Sequence, residues 1–129
     1  MNEKLKIIIV DDERGFRDLL RYELSALGYE VTVAANGEEA VEKIAAERFD
    51  FAVTDLTMPR MSGLEVLAVI KQKNPSIQVI LMSGYITEEL ASECARLGAL
   101  GYIPKPFPVE DLAAMIEKGS KRLEEGRRE

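Results

Sequence analysis

The sequence predicts an α/β domain: a doubly wound, five-stranded parallel sheet with helices on both faces. Three observations carry that expectation. Five short apolar runs alternate with five segments of helical periodicity, and strands joined through helices run parallel. The runs, "KIIIV" at Lys6–Val10 first among them, lack the alternation of a half-solvated strand, so both faces of the sheet are expected to be covered. At 129 residues the chain has the length of one domain, enough to bury about two-thirds of the surface that its unfolded form exposes. No repeat, low-complexity tract or internal linker divides it.

Each element follows in order. Lys6–Val10 opens the sheet. From Arg14 to Leu27, the residues Phe16, Leu19, Leu20, Leu24 and Leu27 recur at helical spacing and give one apolar stripe; Gly28 supplies the left-handed stop. Glu30–Ala34 is the second strand, and Asn36 is the N-cap of a helix reaching about Glu47. Phe51–Thr54 is the third strand, ending at Asp55. After "LTMPRMSG" a helix spans Leu64–Lys73, closed by Asn74–Pro75. Ile77–Met82 is the fourth strand. Thr87 opens "TEEL", the capping-box-like start of a helix that stops at Gly98. Leu100–Ile103 is the fifth strand, followed by "PKPFP" and a last helix from near Val109 to about Glu125.

Composition narrows the function. A net charge of -6 argues against general nucleic-acid binding by this domain, which needs a basic surface to displace phosphate counterions. The single Cys94 cannot form an internal disulfide, and a reduced, cytoplasmic setting is expected. No apolar run reaches the roughly 18 residues of a membrane span and no signal peptide opens the chain, so no membrane partner is expected. The first strand begins almost at Met1, and the expectation is that nothing folded precedes it. Histidine is absent, which excludes catalytic triads, imidazole acid–base chemistry and His-containing zinc sites.

Doubly wound sheets bind ligands outside the carboxyl ends of their strands, at a topological switch point. That edge carries Asp11 and Asp12 after the first strand, Asp55 after the third, Ser83 after the fourth and Lys105 after the fifth. Converging carboxylates repel, and burial together raises a pKa unless something compensates. Magnesium does so with oxygen ligands, typically one or two carboxylates and phosphate oxygens, and the Lys105 ammonium would supply the remainder. A carboxylate beside a metal and a lysine suits phosphoryl acceptance, which depends on positioning and charge neutralisation. Ser83 would donate a hydrogen bond to a phosphoryl oxygen. Singly, each residue has an ordinary reading. Asp11 and Asp12 cap the next helix, Asp55 is a loop acid, Lys105 is solvated between two prolines, Ser83–Gly84 is a turn, and Tyr102 is a core aromatic with its hydroxyl at the edge. Their conjunction on one sheet edge favours a site.

The segments "IIIVDDE", "VTDLTMPRMSGLEVL", "VILMSGY" and "GYIPKPF", in this order and spacing, resemble receiver domains of two-component response regulators over roughly Lys6 to Glu117. The resemblance implies a flavodoxin-like sheet of strand order 2-1-3-4-5. It makes Asp55 the phosphoryl acceptor. Asp12 and Asp55 would bind Mg2+ (or Mn2+) directly, Asp11 through water, with the backbone carbonyl of Thr57 as a further ligand. Lys105 would pair with the phosphoryl group or the acids, and its bond to Pro106 would be cis. Ser83 would be the switch hydroxyl and Tyr102 the aromatic whose rotamer reports phosphorylation, while Thr57 and Tyr85 occupy positions that modulate phosphoryl lifetime. The phosphohistidine donor would sit on a separate sensor histidine kinase or phosphotransfer protein, which fits a chain without histidine. An output domain or protein target would read the switch. Such a domain is regulatory, with self-catalysed phosphotransfer and autodephosphorylation only.

Residues 1–119 read as the receiver domain and 120–129 as a charged helical extension or linker. Leu112, Ile116, Gly119 and Leu123 have the spacing of a short coiled-coil seam, which would serve a homodimer; one packed helix face is the plainer reading. Gly119 costs about 1 kcal/mol relative to alanine in a helix interior. In "SKRLEEGRRE" the basic residues alternate with Glu124, Glu125 and Glu129, as in a solvated helix or linker. Two other classes compete. An aspartyl-phosphate-type phosphohydrolase is suggested by "DLT", which weakly resembles the Asp-x-Asp-x-Thr nucleophile of haloacid-dehalogenase-like phosphatases, but Thr57 stands at the second Asp and no cap domain is present. A nucleotide-binding flavodoxin-like domain would need a Gly-rich phosphate loop where "VDDERG" is acidic.

Overall fold

Ile7, Ile8, Ile9 and Val10 are all without solvent exposure, and in a strand such neighbours point to opposite faces. Both faces of the sheet are therefore covered, and the chain must supply helices for each. The computed structural model describes residues 4–128, with side chains described as far as Leu123. Five strands and five helices alternate: β1 (Lys6–Val10), α1 (Arg14–Ala26), β2 (Glu30–Ala34), α2 (Gly37–Ala46), β3 (Phe51–Asp55), α3 (Gly63–Lys73), β4 (Gln78–Ser83), α4 (Glu88–Arg96), β5 (Gly101–Pro104) and α5 (Val109–Arg128). All neighbours pair in parallel, in the order β2-β1-β3-β4-β5.

The alternation along β1 sorts the core into two layers. Ile8 and Val10 pack with Ala40, Ile44, Val66, Leu67, Ile70 and Cys94, the inner faces of α2, α3 and α4. Ile7 and Ile9 pack with Leu20, Leu24, Leu112 and Ile116, from α1 and α5. Side chains cap three helices: Asn36 Oδ1 accepts from the Glu39 N–H at 2.8 Å, Ser62 Oγ from Glu65 at 3.3 Å and Thr87 Oγ1 from Leu90 at 3.1 Å. The N-cap of α1 is Glu13, without a side-chain cap, so neither Asp11 nor Asp12 serves the capping role that is ordinary for such residues. Among the described residues, no helix is long and apolar enough to cross a membrane.

Three strand boundaries differ from the apolar pattern by one residue. β3 includes Asp55, β4 runs from Gln78 to Ser83, and β5 is shifted to Gly101–Pro104. The cause is pairing. Asp55 lies opposite Met82 and Ser83 opposite Pro104, so the ladder outlasts the hydrophobic run, and the polar residues terminate strands rather than begin loops.

Of the two readings of the tail, the packed helix face is the one its contacts support. Leu112 and Ile116 are fully buried against the sheet and Leu123 packs on the same cluster, so the four-three-four stripe covers the domain's own core and is not free as a coiled-coil seam. α5 runs without a break past residue 119 to Arg128, and Met1–Glu3, Glu129 and the side chains of residues 124–128 lie outside the described residues. Gly119 has a packing reason: a Cβ there would lie 2.7 Å from Phe51 Cε2 and 2.8 Å from Leu100 Cδ2. Its carbonyl also accepts from Gln78 Nε2 at 2.5 Å. Gly119→Ala is therefore expected to destabilise by about 1–2 kcal/mol, overpacking outweighing the gain in helix propensity. Urea denaturation measures it, and a stabilised variant would mean that the Phe51 ring yields without cost.

Candidate functional site

The strand ends deliver the site. Asp11 follows β1, Asp55 closes β3, Ser83 closes β4 and Lys105 follows β5. Asp11 has no solvent exposure and is held from every side. Its Oδ2 accepts from Lys105 Nζ at 2.7 Å and its Oδ1 from the Glu13 N–H at 2.9 Å. Its N–H donates to the Ala34 carbonyl at 3.2 Å, and its own carbonyl accepts from Arg17 Nη1 at 2.8 Å. Asp55 Oδ2 accepts a longer bond from Lys105 Nζ, 3.3 Å, and Oδ1 a weak one from the Thr57 N–H at 3.4 Å. Asp12 is exposed, yet carboxylate oxygens of Asp11, Asp12 and Asp55 lie within 4.8 Å of one another.

The charges do not balance. Burial pushes the Asp55 carboxyl above its ordinary value; the Lys105 charge works against this and the Asp11 charge works with it. Burial opposes the Lys105 charge too, but its bonds to Asp11 and then Asp55 outweigh that and raise its pKa overall. Three carboxylates cluster here, and the Lys105 ammonium pairs with two of them, Asp11 and Asp55. The cluster offers oxygen donors alone and carries an excess of negative charge, which is the chemistry of a hard divalent cation.

A carboxyl whose folded pKa is raised costs stability when ionised. That cost is present above the folded pKa and relieved as pH falls through it. Asp55→Asn is accordingly expected to raise the urea midpoint at neutral pH without divalent cation. The gain should shrink as pH falls through the carboxylate range. A variant less stable than the parent at neutral pH would contradict this charge assignment.

Of the other anticipated residues, Thr57 touches an acid through its backbone N–H, whereas the side chains of Ser83, Tyr85 and Tyr102 make no bond to one among the described residues. The Ser83 hydroxyl is buried and turned along its own chain, donating to the Tyr85 carbonyl at 2.7 Å and accepting from the Tyr85 N–H at 3.1 Å. Tyr85 is exposed. Tyr102, on β5, is 43% exposed rather than in the core. Thr57 is exposed beside Asp55. The Lys105–Pro106 peptide is cis, and the Lys105 N–H donates to the Ser83 carbonyl at 2.8 Å, which ties this loop to the end of β4.

Three contributors escape a reading from residue type. Gly63 brings the start of α3 against the backbone of Asp55: a Cβ there would lie 2.3 Å from the Asp55 carbonyl oxygen. Its sequence signal is a glycine directly after an N-cap serine. Arg17 clamps the Asp11 carbonyl, and Phe16 lies under Lys105. Both sit on the first turns of α1, where their proximity to Asp11–Asp12 is the available clue. Arg60, in the loop between β3 and α3, adopts a left-handed φ of 67° and pairs with Glu38 at 3.4 Å.

Fold and site together define a doubly wound α/β domain with an acidic, lysine-paired pocket at the carboxyl edge of its sheet. The family model for the response regulator receiver domain matches residues 7–117. The chain thus belongs to the receiver domains of two-component response regulators. It is 37% identical over 118 residues to sporulation initiation phosphotransferase F of Bacillus subtilis, covering 92% of this chain and 94% of that protein. It is 35% identical over 117 residues to transcriptional regulatory protein ZraR of Escherichia coli, covering 91% of this chain but 26% of ZraR. The chain thus spans about a quarter of the length of ZraR and of other relatives such as NtrC. Among solved structures, response regulator TrrA of Thermotoga maritima in complex with Mg(2+)-BeF superposes with a TM-score of 0.81 at 36% identity, over 89% of this chain and 98% of that one.

Proposed function

We propose that Asp55 accepts a phosphoryl group from a phosphohistidine on a sensor histidine kinase or phosphotransfer protein, and that the modified site switches the surface near α4 and β5. The observation that carries this reading is the excess of negative charge where three carboxylates meet one ammonium. Asp12 and Asp55, with the Thr57 carbonyl, would hold Mg2+ or Mn2+, and Asp11 would act through water. When bound, the ion neutralises charge on the phosphoryl oxygens and the acceptor. The Mg(2+)-BeF complex of TrrA supports such a ligand here.

In the transfer, a carboxylate oxygen of Asp55 forms the new P–O bond while the donor's P–N bond breaks, its electron pair staying on the imidazole nitrogen. Lys105, already beside Asp55 Oδ2, neutralises a phosphoryl oxygen. Ser83 must leave the Tyr85 carbonyl to donate to another. That movement opens room for Tyr102 to turn inward from its exposed position, and two packings of the α4–β5 surface result. Thr57, beside the acceptor, and Tyr85, after the switch serine, would set water access and hence the lifetime of the phosphoryl group. An output domain or a separate protein in the cytoplasm reads the surface; the domain itself turns over nothing but its own acyl phosphate.

A small phosphodonor with Mg2+ is expected to add one acid-labile phosphate to the parent chain and none to Asp55→Asn or to the parent in excess chelator. Equal labelling of the Asn variant would sink the assignment.

A further inference from the structure

The Lys105 ammonium is bounded by more than carboxylates. Its Nζ donates to Asp11 Oδ2 and Asp55 Oδ2, and it lies 4.4 Å from the centroid of the Phe16 ring. The Phe16 ring meets Phe107 edge to face, with centroids 5.9 Å apart and an interplanar angle of 83°. Phe107 follows Lys105 by two residues, so the loop that carries the lysine also carries the ring that sets the tilt of Phe16. Both aromatics pack on the α1–α5 core layer and are only partly buried. The negative face of an aromatic ring attracts a cation electrostatically, and more so where water is partly excluded. The lysine side chain retains 21% exposure, so the pocket is of that kind.

We infer that Phe16 is a positioning residue for the phosphoryl-accepting site: its ring face, held by Phe107, keeps the Lys105 ammonium directed at Asp11 and Asp55. The inference rests on the role given to Lys105 above. A residue at position 16 that served packing alone would need apolar volume. A ring holding an ammonium needs its negative face as well, and the two requirements separate experimentally.

The test measures the affinity of the full chain for beryllofluoride in saturating Mg2+ by calorimetry, together with the maximal labelling rate and half-saturating concentration of a small phosphodonor. Phe16→Leu is expected to weaken beryllofluoride binding about threefold to tenfold, with Phe16→Tyr within about twofold of the parent. Pentafluorophenylalanine at position 16 keeps the shape, inverts the ring-face charge and should behave like the leucine variant. In a Lys105→Met background, Phe16→Leu should have no further effect. Parental affinity in Phe16→Leu, or the same loss in both backgrounds, would overturn the inference and leave the role of Lys105 standing. Should Lys105→Met itself bind beryllofluoride and accept label like the parent, the assignment of Lys105 and the inference would fall together. If the leucine variant folds poorly, the fluorinated variant decides: tight binding there overturns the role of the ring face.

Discussion

Gly63→Ala is expected to cost about 3 kcal/mol of stability, roughly a 10 °C fall in the unfolding midpoint, and to disable the site. The added methyl carbon would sit 2.3 Å from the Asp55 carbonyl oxygen and 2.9 Å from Leu56 Cα. Both are backbone atoms of a strand end paired to β4, where the Leu56 N–H donates to the Met82 carbonyl at 2.8 Å, so neither can rotate away as a side chain would. Relief requires α3 to lift from the sheet, which breaks the Gly63 N–H bond to the Leu56 carbonyl at 3.0 Å, or Asp55 to shift. In either case the Asp55 carboxylate loses its register with Asp11 and Lys105. Thermal unfolding and magnesium titration should fall together. A variant with parental stability and cation affinity would contradict the close approach.

Lys105→Met is expected to have two separable effects. The first is on stability. Without the ammonium, the Asp11 carboxylate stays fully buried beside Asp55 and loses its salt-bridge partner. Removing one partner of a buried pair costs several kcal/mol; partial solvent access to Lys105 discounts this to about 2 kcal/mol at neutral pH. The sign with pH follows from both groups. The raised pKa of Lys105 means that its contribution is complete below the ordinary lysine value and lost as pH rises through the folded value. The deficit in the variant should therefore close at strongly alkaline pH, and also at acid pH once the carboxylates take up protons. Magnesium should restore part of the loss, because it neutralises the same charges. The second effect is on chemistry: losing one preorganised cation at the phosphoryl oxygens should slow labelling of Asp55 about a hundredfold. Urea melts across pH, with and without magnesium, and single-turnover labelling separate the two. A variant as stable as the parent in the middle of the pH range would show that Asp11 does not depend on Lys105.

Periodicity, together with cap and stop signals, places the strands and α1–α4 within a residue or two, because β1, β3 and β4 are almost wholly buried and the helices carry apolar stripes. By contrast, α5 runs past its expected end to Arg128. Periodicity fails at the carboxyl edge. Hydrophobicity stops at Thr54 and Met82, whereas pairing carries Asp55 and Ser83 into the sheet. The strand order was legible only through the family resemblance, since five similar apolar runs do not say which lies in the centre. The gathering of Asp11, Asp12, Asp55 and Lys105 was legible because one rule about strand ends selects them all. Their inequality, with Asp11 buried on Lys105 and Asp12 exposed, was legible only through the family resemblance, because no feature of "DD" itself says which acid points inward. Tyr102 and Gly119 depart from the ordinary reading of their residue types for opposite reasons. An aromatic on a short edge strand has solvent to turn into, while a glycine that looks like a helix defect is required by the Phe51 ring. Phe16 read as one more member of an apolar stripe, and its place beneath Lys105 depends on a loop ninety positions away.

The central claim is that Asp55 carries the phosphoryl group. Reductive trapping tests it most directly: the parent chain is treated with a small phosphodonor and magnesium, reduced with borohydride, digested and mapped by mass spectrometry. An acyl phosphate is reduced where the carboxylate was modified, so conversion of residue 55 to homoserine, dependent on donor and magnesium, is the expected result. Homoserine at position 11 or 12 instead, or none under conditions that label the chain, would contradict the claim.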